Sequence, residues 1–196
     1  MTNTKKDSND LPVISFETPA EWAEWLNENH GSCKGIWLRF FKKASGIKTI
    51  LYAEALDEAL CYGWIDGQIK TLDEQSYLQR FTPRRPRSNW SKRNTENVAR
   101  LEETGRMKPS GVKEVEAAKK DGRWEKAYHP PTEMEIPDDF LKELAKNKEA
   151  LAFFESLNKT NKYAIAWRLQ TAKKPETRER RMKKILEMMG KRDKLY

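Results

Sequence analysis

One carboxylate followed by a run of guanidinium groups is the set of side chains in this sequence whose types and spacing could do chemistry. Asp66 stands between Ile65 and Gly67 in an otherwise apolar stretch, and Arg80, Arg84 and Arg85 come soon after it, ahead of Ser88, Ser91 and Asn94. Guanidinium groups and hydroxyls gathered around a pocket can hold a phosphate or a carboxylate. In the same pocket Asp66 could act as a general base. The structural reading of the same residues is a buried ion pair between Asp66 and Arg80 or Arg84 that fixes a hairpin, about 3 to 5 kcal/mol being lost if one side is removed. Trp64 and Trp90 read first as core anchors, and in a binding role could stack a base or a sugar.

Other reactive types lead elsewhere. Cys61 falls at the end of an expected helix, where the dipole disfavours a thiolate, so packing is its expected role. His30 and His129 have no Asp or Cys at metal or triad spacing, and neither a phosphate loop nor a zinc-hydrolase motif occurs. The sequence therefore assigns no catalytic residue, metal or cofactor.

Local elements must position the constellation. Tyr52, Ala55, Leu56, Ala59 and Leu60 recur at helical spacing, with Gly63 as the left-handed cap. Trp64 to Lys70 and Tyr77 to Thr82 read as strands of a hairpin. Its register is open by one residue, so Asp66 faces either Arg80 or Phe81. Pro83 and Pro86 are expected to keep residues 82 to 87 extended with the arginines turned outward, and Ser88 to cap a helix reaching Arg106.

Residues 59 to 67 (Ala-Leu-Cys-Tyr-Gly-Trp-Ile-Asp-Gly), Arg80-Phe81-Thr82-Pro83-Arg84-Arg85 and Ser88-Asn89-Trp90-Ser91-Lys92-Arg93-Asn94 resemble the bacterial YdeI/OmpD-associated family, also called bacteriocin-protection proteins. Ala164-Ile165-Ala166-Trp167, Ala172-Lys173-Lys174, Glu176-Thr177-Arg178 and Arg180-Arg181 look like that family's C-terminal helical module. The resemblance runs from about Phe16 to Lys191. It implies a stress or bacteriocin-protection factor and supplies no catalytic residues.

Earlier in the chain, Leu11 to Phe16 suits a short strand, and Thr18-Pro19-Ala20-Glu21 matches a capping box ahead of Trp22, Trp25 and Leu26. Gly35 to Lys43 has the composition of a central strand. Val112, Val115 and Ala118 mark a helix stopped at Gly122. After the proline-rich stretch from His129 to Pro137 come four expected helices, with Pro175 opening the last and Gly190 closing it. Their apolar faces are Phe140, Leu141 and Leu144, then Leu151, Phe153, Phe154 and Leu157, then Tyr163, Ala166, Trp167 and Gln170, then Met182, Ile185, Leu186 and Met189. The expected organisation is a disordered tail over 1–10, an α+β domain over 11–128, a linker over 129–137 and a helical module over 138–196. The fold class is α+β, a small antiparallel or mixed sheet covered by helices, followed by the C-terminal helical module.

Charge narrows the partners. The chain carries a net charge of +8, and charged residues make up 35% of it. The excess is local: residues 80–106 hold 8 basic and 3 acidic side chains, and residues 171–196 hold 10 and 4. Such zones suit an anionic small molecule or an acidic protein partner, with nucleic acid as a further candidate. No apolar run is long enough to span a bilayer and the N-terminus does not read as a secretory signal, so a cytoplasmic protein is expected. The functional expectation is a non-enzymatic factor that binds an anionic partner through the Arg80 to Asn94 surface. Its alternatives are an enzyme with Asp66 as base and a nucleic-acid binder.

Overall fold

A computed structural model describes residues 11–130, 133–172 and 174–195. The expected tail over 1–10, and Pro131 and Thr132 of the expected linker, lie outside the described residues. The chain divides into two compact units, Met1–Ser88 with Asn94–Glu125, and Asn89–Arg93 with Lys126–Tyr196.

In the first unit the order is β1 (Val13–Ile14), α1 (Pro19–Asn29), β2 (Ile36–Phe41), α2 (Tyr52–Cys61), β3 (Trp64–Thr71), β4 (Ser76–Pro83), α3 (Lys92–Glu103, its first two residues grouping with the second unit) and α4 (Pro109–Lys120). The sheet order is β1-β2-β4-β3, with β1 parallel to β2 and the other pairs antiparallel. This is the mixed sheet of an α+β fold, and β2 is internal as its composition requires.

Helix α1 starts where its capping box says it must: Thr18 Oγ1 accepts from Glu21 N, and the Glu21 carboxylate accepts from Thr18 N. That start delivers Trp22 to the sheet. Its ring stacks on Trp25 at 5.3 Å between centroids and meets Trp64 and Phe81 edge-on, while its indole N–H donates to Ala55 O. Ile36, Leu38 and Phe40 point to this same covered face and are buried. Paired aromatic contacts of this kind contribute about 0.5 to 1.5 kcal/mol each beyond area burial.

Ion pairs fasten α3 and its exit to α2. Arg100 Nη2 bridges both oxygens of Asp57 at 2.8 Å, and Arg106 Nη2 reaches Glu58 at 2.6 Å. Gly105 ends α3 in the left-handed region (φ 66°), with Gly105 N on Glu102 O and Arg106 N on Leu101 O, the pattern of a Schellman cap. Helix α4 crosses α2 so closely that a Cβ on Gly111 would lie 2.2 Å from Cys61 O. The backbone itself occupies that space, so no rotamer change could relieve the clash.

The second unit contains α5 (Asp138–Leu144), α6 (Lys148–Ser156), α7 (Lys159–Gln170) and α8 (Pro175–Gly190). Phe140, Leu144, Phe154, Ile165, Leu169, Ile185 and Met189 form its core. Asn147 and Asn158 cap α6 and α7 through their side-chain oxygens. Of the face expected for α7, Ala166 is fully buried together with Ile165 and Leu169, whereas Tyr163 and Trp167 are half-buried and Gln170 is exposed, so the stripe is rotated. Apolar residues occur on several sides of that helix, so their spacing alone does not single out one face. Helix α8 opens at Pro175 and ends at Gly190 as expected, and the left-handed residue beyond it is not a glycine. Arg192 takes that place at φ 58°, with Arg192 N on Met189 O and Asp193 N on Met188 O.

Two substitutions test this packing. Gly111→Ala should remove about 1 to 3 kcal/mol and lower the melting temperature by several degrees, as overpacking does. Gly31→Ala, where nothing lies within 4 Å of the added Cβ, should leave melting nearly unchanged. Equal melting curves for the two variants would contradict the close α2–α4 crossing.

Candidate functional site

The register of β4 decides which of the candidate side chains meet. Asp66 lies opposite Phe81, and Phe81 lies opposite Ile36, so the Asp66 carboxylate belongs to the helix-covered face. Arg80 lies opposite Trp37 and points to the other face. An Asp66–Arg80 ion pair would have to pass through the sheet. Among the described residues, the Asp66 side chain bonds the Tyr52 hydroxyl at 2.8 Å and no arginine. The expected pairing of Asp66 with Arg80 or Arg84 is thus corrected.

Between Asp66 and Ile69 the ladder shifts, so that Gly67 and Gln68 together oppose Arg80. This is a β-bulge, and the Gln79 side chain, 5% exposed, satisfies its freed carbonyl by donating to Gly67 O at 2.7 Å. Trp64, expected as a possible stacking group, is 1% exposed, packs edge-on to Trp22 and Trp25, and donates its indole N–H to His30 O. It is a core residue.

Beyond β4 the chain turns earlier than expected. Arg84 N donates to Gly63 O at 2.9 Å, and its side chain is 6% exposed, so it is buried and not splayed outward. Ser88 N then donates to Arg85 O, closing a turn with Pro86 and Arg87 at its centre and Arg87 at φ 62°. Proline followed by a residue at positive φ is the pattern of a type II turn, which ordinarily takes glycine or asparagine at the second place. Arginine there costs about 1 to 2 kcal/mol of backbone strain. Arg85 and Arg87 are exposed on this turn.

Ser88 does not cap the next helix, which begins at Lys92. Its Oγ is buried with no hydrogen-bond partner among the described residues, and its carbonyl accepts from Arg123 Nη1 at 2.9 Å. Arg123 is oriented by Asp121 at 2.7 Å. Trp90 and Ser91 group with the second unit, where Trp90 is 1% exposed. There Tyr128 N donates to Trp90 O, and Ser91 forms an isolated parallel bridge with Tyr128. Asn94, on the first turn of α3, is half-buried in the first unit.

Sequence reasoning missed Tyr52 and Arg123. Tyr52 carried a usable signal, since an aromatic at the start of α2 has a hydroxyl that must find a partner when half-buried. Arg123 carried none, because its tie to Ser88 spans distant positions. Among the described residues no group of three or more histidines, cysteines or acids could hold a metal ion.

Cys61 has the environment expected of a packing residue. Burial first, and the Glu58 carboxylate second, push its thiol from 9.0 up to about 11. Its contribution to stability is therefore full below the ordinary thiol range and is lost as pH rises through that range toward 11. Iodoacetamide at pH 8 should label Cys33, which is half-buried, and spare Cys61 in the folded protein. Equal labelling of the two would contradict this environment. Melting temperature should also fall between about pH 9 and 11, and Cys61→Ala should lessen that fall.

Comparisons with known proteins fall on the two halves separately. A family model described as Domain of unknown function (DUF8412) matches residues 14–114, which hold the Trp64 to Asn94 motif. A second, described as Bacteriocin-protection, YdeI or OmpD-Associated, matches residues 133–192. No curated protein and no solved structure matches the chain. The chain belongs to the first family through its N-terminal half, and it carries the bacteriocin-protection, YdeI or OmpD-associated domain in its C-terminal part.

Proposed function

We propose that this is a non-enzymatic, cytoplasmic stress or bacteriocin-protection factor, and that its first unit binds the phosphate or carboxylate group of an anionic partner at the Arg85 to Ser88 turn. The observation that carries this reading is Arg87, a non-glycine residue held at φ 62° on an exposed turn. Strain of that size persists where surrounding structure imposes it, and it concentrates at binding sites. Here Pro86 fixes one side of the turn, and the Ser88 carbonyl held by Arg123 fixes the other. The result is a turn that carries two exposed arginines on a backbone fixed at both sides, which limits the entropy lost on binding.

The match of residues 133–192 supports a protective role, because the family it matches is described by bacteriocin protection. An oxyanion bound by arginine is a chemistry common to phosphorylated small molecules and acidic proteins. The turn alone does not distinguish these two, so both are probed.

The test compares the wild type with Arg85→Ala/Arg87→Gly in thermal-shift assays with inorganic phosphate and with poly-glutamate, at low and high salt. Glycine relieves the strained φ, so the variant should melt as high as the wild type or about 2 to 6 °C higher. It should also lose the stabilisation that either anion confers on the wild type. A variant that melts well below the wild type, or that keeps its anion-dependent shift, would contradict the proposal.

A further inference from the structure

The sheet face opposite α1 and α2 has a composition that the turn does not explain. Along β2 it presents Trp37, Arg39 and Phe41, with Arg80 on β4 opposite Trp37 and Lys70 on β3 opposite Leu78. Trp37, Arg39, Phe41 and Arg80 are half-buried, and Gln68 and Lys70 are exposed. A sheet surface facing only solvent would carry polar residues at these places, and a core face would carry no arginine.

Three observations give this face the character of a binding surface. A shallow, half-open hollow of about 430 Å³ is lined by Trp37, Gln68, Ile69 and Lys70. Beside it the bulge sets Gly67, a residue without a side chain, over Arg80, 3.8 Å from where its Cβ would be. Arg80, placed on this side by its register with Trp37, has its Nε buried with no hydrogen-bond partner among the described residues, a desolvated cationic donor. Arg39 is held ready in a different way. Its guanidinium lies 4.5 Å from the Phe41 ring centroid, and it bonds Ser76 Oγ at 3.1 Å and Asp73 at 2.9 Å.

We propose that this face binds single-stranded nucleic acid, with a base stacked on Trp37 in the hollow and the phosphates beside it paired with Lys70 and Arg80. The charge is complementary: three cations stand on the surface, and Asp73 at its rim is engaged by Arg39. An aromatic flanked by arginine and lysine on an open sheet is the arrangement that holds unpaired bases irrespective of sequence. A duplex keeps its bases stacked within itself and so cannot use Trp37 in this way. The surface is distinct from the Arg85 to Ser88 turn, and the proposal does not depend on the reading of that turn.

Fluorescence anisotropy of the full chain with a labelled mixed-sequence oligonucleotide of about a dozen nucleotides, single-stranded or duplex, tests it. The single strand should bind at least tenfold more tightly than the duplex. Its log–log salt slope should be about −1.4, as expected for two phosphates. Trp37→Ala should weaken binding by about tenfold or more, whereas Trp37→Phe should keep it within about threefold, because a stacking ring remains. If Trp37→Ala does not fold, Lys70→Glu at an exposed position decides, with a similar loss expected. Arg85→Ala/Arg87→Gly should bind the oligonucleotide as the wild type does. The proposal is overturned by equal affinity for duplex, by unchanged binding in folded Trp37→Ala or in Lys70→Glu, or by binding that depends on Arg85 and Arg87 instead. Self-association lost in Trp37→Ala, without oligonucleotide binding, would also overturn it by assigning the face to a second copy of the chain.

Discussion

The pairing of β4 between β2 and β3 is the constraint from which the chemistry of the first unit follows. Phe81 opposite both Ile36 and Asp66 fixes one face as core, and that choice sends every second residue of β4 the other way. A slip of one residue would carry Arg80 inward and Phe81 out to solvent. Burial of Phe81 against Trp22 prevents it, since a large aromatic contributes on the order of 2 to 3 kcal/mol by leaving water. The carboxylate and the guanidinium are thereby sent to opposite sides of one sheet.

That division gives the two groups different work. On the covered side Asp66 receives the Tyr52 hydroxyl and fixes the start of α2 against β3. On the open side Arg80 lies between the bulge and Trp37, half-buried. The Pro86–Arg87 turn adds a second cationic feature, rigid for a different reason, since backbone strain and not packing sets its shape. Basic charge that looks like one cluster in the sequence is thus distributed over structurally separate features.

Much of the fold was legible because its signals are local. The Thr18 to Glu21 box, the apolar spacing from Tyr52 to Leu60, Gly63 at φ 77° and the hairpin through Leu72 to Ser76 each depend on residues a few positions apart. The candidate site was legible in composition but not in geometry. Strand register is a long-range choice that local alternation leaves open by one position, and the bulge at Gly67 and Gln68 resets it midway. The turn reads as extended in the sequence because its second central residue is arginine, where glycine would announce a positive φ. Helix α8 runs from Pro175 to Gly190 as its sequence marks it, but the left-handed residue that follows is Arg192, which no glycine announces.

The most direct measurement is a pair of double-mutant cycles in chemical denaturation. Tyr52→Phe with Asp66→Asn should show a coupling of roughly 0.5 to 1.5 kcal/mol, the scale of a partly buried hydrogen bond. Asp66→Asn with Arg80→Gln should be additive to within about 0.5 kcal/mol, as for groups that share no contact. Additivity in the first cycle together with strong coupling in the second would place the carboxylate and the guanidinium side by side and contradict the register.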